Sequence, residues 1–265
     1  MRKQFQSLGW MASAALALSF GTAQADPLPA GWTFTGNAGT NTATDGVVTL
    51  APGFSSYQWL STNGGVSGGG KLPTTATGAE TDGTTVRTSD FTVVAGDKLN
   101  FFFNYITSDG AGFTEYAWAG LFNGPASFDS YLFTARTTTS GNTVPGFGLP
   151  GLGAGVTLNP SATAIIAGGP LFSPLGGDSG RCYSTGCGYT GWVEMDYTFT
   201  TAGTYSLGFG VTNALDKIYD TAFAVAGVTI NDVSIDDNSV PEPATLALVG
   251  LSLAGLGVMR RRRQV

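Results

Sequence analysis

The feature that most constrains the fold of this 265-residue chain is a two-residue alternation of apolar side chains in short runs. In residues 98–106, one face carries only large apolar or aromatic side chains: Leu99, Phe101, Phe103 and Tyr105. The other face is also largely apolar, with Asn100, Phe102, Asn104 and Ile106. A strand that is apolar on both faces is typical of a sheet whose two faces are covered. We therefore expect a central strand here, covered by a second sheet.

Similar runs recur between residues 26 and 239, separated by turns rich in Gly, Thr and Ser, and no stretch there has a sustained 3.6-residue period. The predicted strands are residues 47–50, 54–60, 84–94 (one strand or two), 98–106, 116–122, 130–136, 192–199, 204–211 and 223–235. We expect the 192–199 and 204–211 strands to be half exposed to water. Roughly nine to eleven short strands predict an all-β fold, an antiparallel β-sandwich with jelly-roll-like connectivity.

Three interruptions of this pattern carry their own predictions. Residues 68–83 are expected to form a flexible loop, and Gly227 predicts a β-bulge inside the last strand. Residues 137–191 hold five prolines and many glycines, and only 155–158 and 162–167 could pair as strands. A loop of this length inside a compact domain is usually functional or disordered.

Charge and composition exclude several classes of function. Residues 26–239 contain six Lys and Arg against seventeen Asp and Glu, a net charge of −11. Without a basic stripe, nucleic acid is not expected as a partner. Histidine is absent from the whole chain, which removes Ser-His-Asp and Cys-His arrangements and any His-containing zinc site. No cofactor is expected, although the carboxylates leave a structural calcium ion open.

The two cysteines of the chain, Cys182 and Cys187, are separated by only four residues. In an oxidising compartment this spacing predicts a small disulfide loop, with free thiols as the alternative. A metal site would need more soft ligands than the chain contains, and a catalytic thiol would lack its usual base.

The first 25 residues have the three parts of a signal peptide. Arg2 and Lys3 precede a mostly apolar segment, residues 8–20, and Ala23 and Ala25 supply the small residues of a cleavage site before Asp26. We expect export through the Sec translocon and cleavage by signal peptidase after Ala25.

The last 26 residues contain three parts in a fixed order. Residues 240–243 read Val240, Pro241, Glu242 and Pro243, and the prolines keep the backbone extended and block a helix before Ala244. The apolar run 244–259 would span about 24 Å as a transmembrane helix, slightly less than a ~30 Å hydrocarbon core. The end of the run is anchored on the cytoplasmic side by Arg260, Arg261, Arg262 and Arg263.

This order resembles the PEP-CTERM sorting signal of Gram-negative bacteria. The resemblance implies a transient inner-membrane anchor, recognition by an exosortase, cleavage near residues 240–243, and delivery to the cell surface or extracellular matrix. The alternative is an ordinary C-terminal membrane anchor, for which a short helix containing three glycines is poorly suited. The predicted domains are a signal peptide (1–25), an exported β-sandwich (26–239) and a sorting signal (240–265).

Several short stretches of the middle region resemble a narrower group, the flocculation-associated PEP-CTERM proteins. They are residues 104–113 (NYITSDGAGF), 116–119 (YAWA), 132–137 (LFTART), 142–148 (NTVPGFG) and 187–192 (CGYTGW). The resemblance covers about residues 57–235 and implies a role in aggregation, as floc or biofilm, together with exopolysaccharide. It carries no residue-level site.

Candidate binding residues come from the aromatic and acidic side chains. Aromatic faces stack on sugar rings, and Trp59 and Trp192 adjoin turns, so we expect them to be exposed and to bind carbohydrate; Trp118, inside an apolar strand, is expected in the core. Loop carboxylates at a sandwich edge could hold the calcium ion: Asp216, Asp220, Asp232, Asp236 and Asp237.

The rival functional class is a secreted polysaccharide-active enzyme. A glycosidase needs only two carboxylates, and Glu115 and Glu194 are the candidates to test first. No sequence signature selects a pair, so we expect a non-enzymatic surface protein that promotes exopolysaccharide-associated aggregation.

Overall fold

The computed structural model describes residues 26–124 and 127–235, and these residues form two antiparallel β-sheets packed face to face. A 3₁₀-helix covers Ser173–Asp178. The strands of the described residues are β1 (Thr33–Thr35), β2 (Asn37–Asn41), β3 (Tyr57–Ser61), β4 (Val66–Ser67), β5 (Glu80–Arg87), β6 (Phe91–Val93), β7 (Lys98–Thr107), β8 (Tyr116–Asn123), β9 (Ser127–Ala135), β10 (Thr157–Asn159), β11 (Ile166–Ala167), β12 (Gly188–Tyr189), β13 (Val193–Thr198), β14 (Gly203–Ala214), β15 (Thr221–Ile230) and β16 (Val233–Ser234).

The strand order confirms the predicted all-β sandwich and its jelly-roll connectivity. The four long strands of one sheet lie in the order β3-β15-β7-β13, and those of the other in the order β5-β14-β8-β9. This alternation between sheets is that of an eight-stranded jelly roll. The short strand β2 extends the first sheet beyond β3 and forms its edge.

Aromatic side chains from both sheets form the core between them. Phe103 on β7 stacks on Phe133 of β9 with ring centroids 4.0 Å apart, and Phe223 on β15 lies about 6 Å from both rings. Phe101 meets Phe209 of β14 edge-on at 5.6 Å. Each fully buried aromatic ring stabilises the fold by roughly 1.5–3 kcal/mol. The face predicted from residues 98–106 therefore points into the core.

The outer face of the sheet containing β3, β7 and β15 is covered by loops. Residues 47–54 and 172–175 contribute the covering side chains, and they pack against Tyr57, Trp59 and Ile106. Phe172 and Leu175 come from the long interval 137–191. This interval is therefore a packed part of the structure and not a disordered loop.

The outer face of the other sheet is covered by its own aromatic side chains. Trp118 on β8 lies against Gly210 of β14, and Phe122 lies against Gly208. The guanidinium of Arg87 sits 3.1 Å from the centroid of the Phe122 ring. The prediction that residues 204–211 are half exposed is therefore wrong, because neighbouring rings cover the glycine face of β14.

Three local predictions are also settled. Residues 47–50 do not form the predicted strand, because residues 45–48 make a tight turn closed by an Asp45–Val48 bridge. The predicted loop 68–83 already contains the start of β5 at Glu80, because β5 pairs with β14. Gly227 has φ +65° and lies where the β15–β7 register shifts, which confirms the predicted bulge.

The predicted processing segments lie outside the described residues. These are the signal peptide, with Ala23 and Ala25, and the sorting segment 240–265 with its apolar run. Within residues 26–124 and 127–235, no helix has the length and apolarity needed to cross a membrane.

Gly210 tests the aromatic cover of β14. A Cβ at this position would lie 2.2 Å from Trp118 Nε1 and 2.7 Å from Gly70 O, so Gly210→Ala should lower the free energy of unfolding by about 2–3 kcal/mol. A Cβ at Gly151 would meet nothing within 4 Å, so Gly151→Ala should stay within about 0.5 kcal/mol of the wild type. Urea unfolding measures both, and equal effects would contradict this packing.

Candidate functional site

A cavity of about 560 Å³ opens at the β2 edge of the sandwich. It lies between strands β2 and β3, the loop 42–45 that follows β2, and the start of the 3₁₀-helix. Its volume falls within the roughly 300–1,000 Å³ range of small-molecule sites. It is lined by Asp26, Asn37, Thr40, Asn41, Thr42, Ala43, Thr44, Asp45, Trp59, Asn63, Ser173 and Pro174.

The register of β2 against β3 brings the cavity's amides and its indole to one face. Gly39 lies directly opposite Trp59, with Asn37 opposite Ser61 and Asn41 opposite Tyr57. Because side chains alternate along a strand, Asn37, Gly39 and Asn41 share one face of β2, and Gly39 contributes no side chain there. The two amides therefore stand on either side of the indole of Trp59.

A hydrogen-bond network fixes the back of the cavity. Trp59 Nε1 donates to Asn41 Oδ1 at 3.2 Å, and Asn41 Nδ2 donates to the Tyr57 hydroxyl at 2.9 Å. The Asp45 carboxylate accepts from the Ser173 hydroxyl at 2.9 Å and from the Ser173 backbone N–H at 3.1 Å. Burial raises the pKa of Tyr57 to about 12, so its hydroxyl stays protonated. These contacts hold the site in place before any ligand enters.

Other polar groups remain free to meet a ligand. The Thr42 and Thr44 side chains and the Asp26 carboxylate are exposed at the rim. Asn37 Nδ2 donates to Asn63 O at 2.6 Å, which aims the amide along the cavity wall. An indole beside amides, hydroxyls and carboxylates suits a ligand with apolar C–H faces and many hydroxyl groups.

The structure places the two predicted carbohydrate-binding tryptophans differently. Trp59 lines the cavity but is only 6% exposed, so the expectation that it is an exposed platform is wrong; its ring packs on the sheet. Trp192 is half-buried outside the cavity, where its Nε1 donates to Thr49 O at 2.9 Å and its ring meets Tyr57 edge-on. Trp118 is 1% exposed, which confirms the core prediction.

The predicted disulfide is present, and the predicted calcium ligands that the structure describes are not gathered into a group of three. Cys182 and Cys187 are bonded, with their Cα atoms 5.6 Å apart. In the described part of the chain, no three His, Cys, Asp or Glu side chains form a group able to hold a metal ion. This includes Asp216, Asp220 and Asp232, whereas Asp236 and Asp237 lie outside the described residues.

The two candidate catalytic acids lie apart from the cavity. Glu115 is 3% exposed, and its Oε2 accepts from the hydroxyls of Thr107 and Thr221. Burial, together with the nearby charge of Asp109, raises the pKa of Glu115 well above its usual range. Glu194 is half-buried and accepts from the amides of Asn100 at 2.9 Å and Asn159 at 3.3 Å. Neither residue lines the 560 Å³ cavity.

Sequence reasoning missed most of the cavity residues. Residues 37–41 (NAGTN) were not predicted as a strand, because the run has no large apolar side chain. The signal that could have found them is the same two-residue period, with Asn37, Gly39 and Asn41 on one face. Asp45 and Ser173 are 128 positions apart, and no local pattern connects them.

Asp109 gives a pH-dependent prediction. Burial is the main cause that raises its pKa from 3.8 to about 6, so the native state holds a proton that the unfolded chain has released between these pH values. The contribution of Asp109 to the free energy of unfolding therefore falls as pH rises from about 4 to 6. Between pH 4 and pH 6, the free energy of unfolding of Asp109→Asn should therefore rise by on the order of 2 kcal/mol relative to that of the wild type.

Urea unfolding at pH 4, 5, 6 and 7 measures this effect. Asp129→Asn is the matched control, because Asp129 is exposed and its variant should follow the wild-type curve. An Asp109→Asn curve that also runs parallel to the wild type would contradict the assignment.

Comparisons with known proteins match two different parts of the chain. Residues 239–263 match the model of the PEP-CTERM protein-sorting motif. Similar solved structures are the K1, K2 and K3 cleaved adhesin domains of Lys-gingipain, of which K1 and K3 are described as from Porphyromonas gingivalis W83. A comparison with curated protein sequences found no significant match.

The likeness to the solved structures is weak in sequence and in shape. The K1 domain is 11% identical with a TM-score of 0.34, covering 78% of this chain and 98% of that one. The K2 domain is 13% identical with a TM-score of 0.40, covering 79% of this chain and 94% of that one. The K3 domain is 10% identical with a TM-score of 0.35, covering 77% of this chain and 98% of that one.

The sorting-motif match confirms the prediction made from the Pro-Glu-Pro box, the apolar run and the arginine cluster. The chain carries a PEP-CTERM sorting motif and is an exported, exosortase-sorted surface protein.

Proposed function

We propose that this protein is a non-catalytic matrix protein that holds exopolysaccharide in the cavity beside Trp59 and thereby promotes cell aggregation. The observation that carries the proposal is the cavity itself. An indole and flanking amides line about 560 Å³ at the edge of an exported sandwich. Sugars present C–H faces to aromatic rings and hydroxyls to amides and carboxylates, which is the combination found here.

The charge of the exported region supports a neutral or cationic polymer over an acidic one. Asp26 and Asp45 both line the cavity, and no Lys or Arg does so within the described residues. Residues 26–239 carry a net charge of −11, which would repel a uronate-rich chain. A polymer rich in neutral hexoses fits this lining best.

Binding without cleavage is supported by the position of the acids. Glu115 is bound by hydroxyls in the interior, and Glu194 is bound by two amides. In the cavity, the Asp45 carboxylate is occupied by Ser173 and by the amide of Asn41, which leaves Asp26 at the rim. A general acid needs a partner carboxylate placed across the scissile bond.

Asn37 tests the sugar site, because it lines the cavity while remaining outside the core. The variant Asn37→Ala should lose one hydrogen bond to the ligand, worth about 1 kcal/mol. It should therefore bind the matrix polymer roughly fivefold more weakly. Asn123→Ala is the matched control, since Asn123 is an exposed asparagine outside the cavity. Affinity electrophoresis or calorimetry with purified polymer measures both variants.

The same experiment separates binding from catalysis. Polymer recovered after incubation should keep its length, and equal binding by the two asparagine variants would contradict the cavity assignment. Shortening of the polymer that Asp26→Asn or Asp45→Asn abolishes would replace the proposal with a glycosidase. In cells, a deletion strain should aggregate less, and Asn123→Ala should restore aggregation better than Asn37→Ala.

The sorting motif gives a separate prediction. Replacing Pro241 and Pro243 with alanine removes the two residues that block helix formation, so the helix should extend through Glu242. We expect the variant to accumulate as a membrane-retained precursor, detected by intact mass and fractionation. Asn238→Ala should be processed like the parent. Normal processing of the proline variant would show that the extended box is not what the exosortase requires.

A further inference from the structure

The N-terminal end of the exported region lies at the rim of the cavity beside Trp59. Asp26 forms an isolated antiparallel bridge with Thr40 on the outer edge of β2. The backbone N–H of Asp26 donates to Thr40 O at 3.1 Å, and Asp26 O accepts from Thr40 N at 2.9 Å. Asp26 therefore extends the sheet by one paired residue, and it is also one of the residues that line the cavity.

The residues that follow Asp26 hold it in this position. Thr40 is 2% exposed, and its hydroxyl donates to Pro27 O at 2.9 Å. Leu28 packs against the main hydrophobic core, and Trp32 is part of that core. Chain ends fray unless they are tied down by pairing or packing, and this segment has both. The backbone nitrogen of Asp26 is therefore fixed at the rim of the cavity.

Signal peptidase is predicted to cut the peptide bond on the N-terminal side of Asp26, after the small residues Ala23 and Ala25. Cleavage turns the Asp26 nitrogen from an amide with one N–H into an α-ammonium with three N–H groups and a positive charge at neutral pH. One N–H still pairs with Thr40 O. The other two, together with the charge, are available to a ligand only after cleavage.

The lining of the cavity is rich in acceptors, and much of its donor capacity is used within the protein. The carboxylates of Asp26 and Asp45 lie there, and among the described residues no Lys or Arg does. The indole N–H and three amide groups already donate to protein atoms: Trp59 to Asn41, Asn41 to Tyr57, Asn37 to Asn63 and Asn63 to Pro174. A sugar hydroxyl that accepts a hydrogen bond therefore needs a further donor.

We propose that signal-peptide cleavage completes the polysaccharide site, because the α-ammonium of Asp26 donates hydrogen bonds to hydroxyl groups of the polymer. This role rests on the proposed function of the cavity and adds to it a charged donor. Hydrogen bonds from a charged donor are roughly twice as strong as those between neutral groups. The α-ammonium therefore contributes more to binding than a single amide of the lining, and the uncleaved precursor binds the polymer weakly.

Selective acetylation of the exported protein tests the charge. At about pH 6.5 the α-amine reacts before the lysine amines, which are far more completely protonated, and intact mass confirms a single acetyl group. The acetylated nitrogen keeps one N–H for Thr40, so the fold should not change. The acetylated protein should bind purified neutral matrix polymer at least about tenfold more weakly than the untreated protein in calorimetry. Equal binding would overturn the role of the α-ammonium.

A one-residue insertion tests the position of the ammonium. With one alanine inserted between Ala25 and Asp26, the cleaved protein begins at the inserted residue, and its ammonium is displaced by roughly 3.8 Å. This variant should bind the polymer as weakly as the acetylated protein, and its own acetylation should cause no further loss. If acetylation weakens both proteins equally, the effect does not depend on the position at the rim, and the proposed role is wrong.

Asn37→Ala separates this role from the proposed function. If Asn37→Ala weakens binding of the polymer and acetylation does not, the sugar site stands and the role of the α-ammonium is wrong. If neither change weakens binding, the polymer does not bind in this cavity and both proposals are wrong. N-terminal sequencing of the exported protein should give Asp26 first, and any other first residue would overturn the role of its α-ammonium alone.

Discussion

The structure depends on the aromatic packing between the two sheets, centred on the 4.0 Å stack of Phe103 against Phe133. Once Phe103 faces inward, the alternation of side chains fixes the orientation of every paired strand. On β3, Leu60 then enters the core and Trp59 must face outward, away from the second sheet. The packing of the core therefore determines the position of the Trp59 indole that lines the proposed sugar site.

The outward faces are covered by different means, and this explains where cavities occur. The sheet that contains β5, β14, β8 and β9 is covered by aromatic rings that lie over glycines, which leaves little space. The sheet that contains β3, β7 and β15 is covered by two loop segments, residues 47–54 and 172–175. Where this loop cover ends at the β2 edge, polar side chains line the 560 Å³ cavity. This cavity is thus a consequence of how the loops cover this sheet.

The sequence predicts what depends on local period and misses what depends on distant contacts. Residues 98–106 predicted a central strand because their alternation is strong, and Gly227 predicted its bulge for a local reason. Residues 204–211 were misassigned as half exposed because Trp118 and Phe122, which cover them, lie on another strand. Trp59 was recognised as a candidate, but its burial and its partner Asn41 follow from the pairing of β2 with β3. The pairing of Asp45 with Ser173 has no local signal at all.

The proposed function depends on polysaccharide binding in the cavity beside Trp59. A crystal structure of the exported protein soaked with a short fragment of its own matrix polymer tests this most directly. A sugar ring is expected in the cavity, within van der Waals distance of the Trp59 indole and hydrogen-bonded to Asn37 or to the Thr44 hydroxyl. A fragment bound elsewhere on the sandwich, with this cavity holding only water, would contradict it.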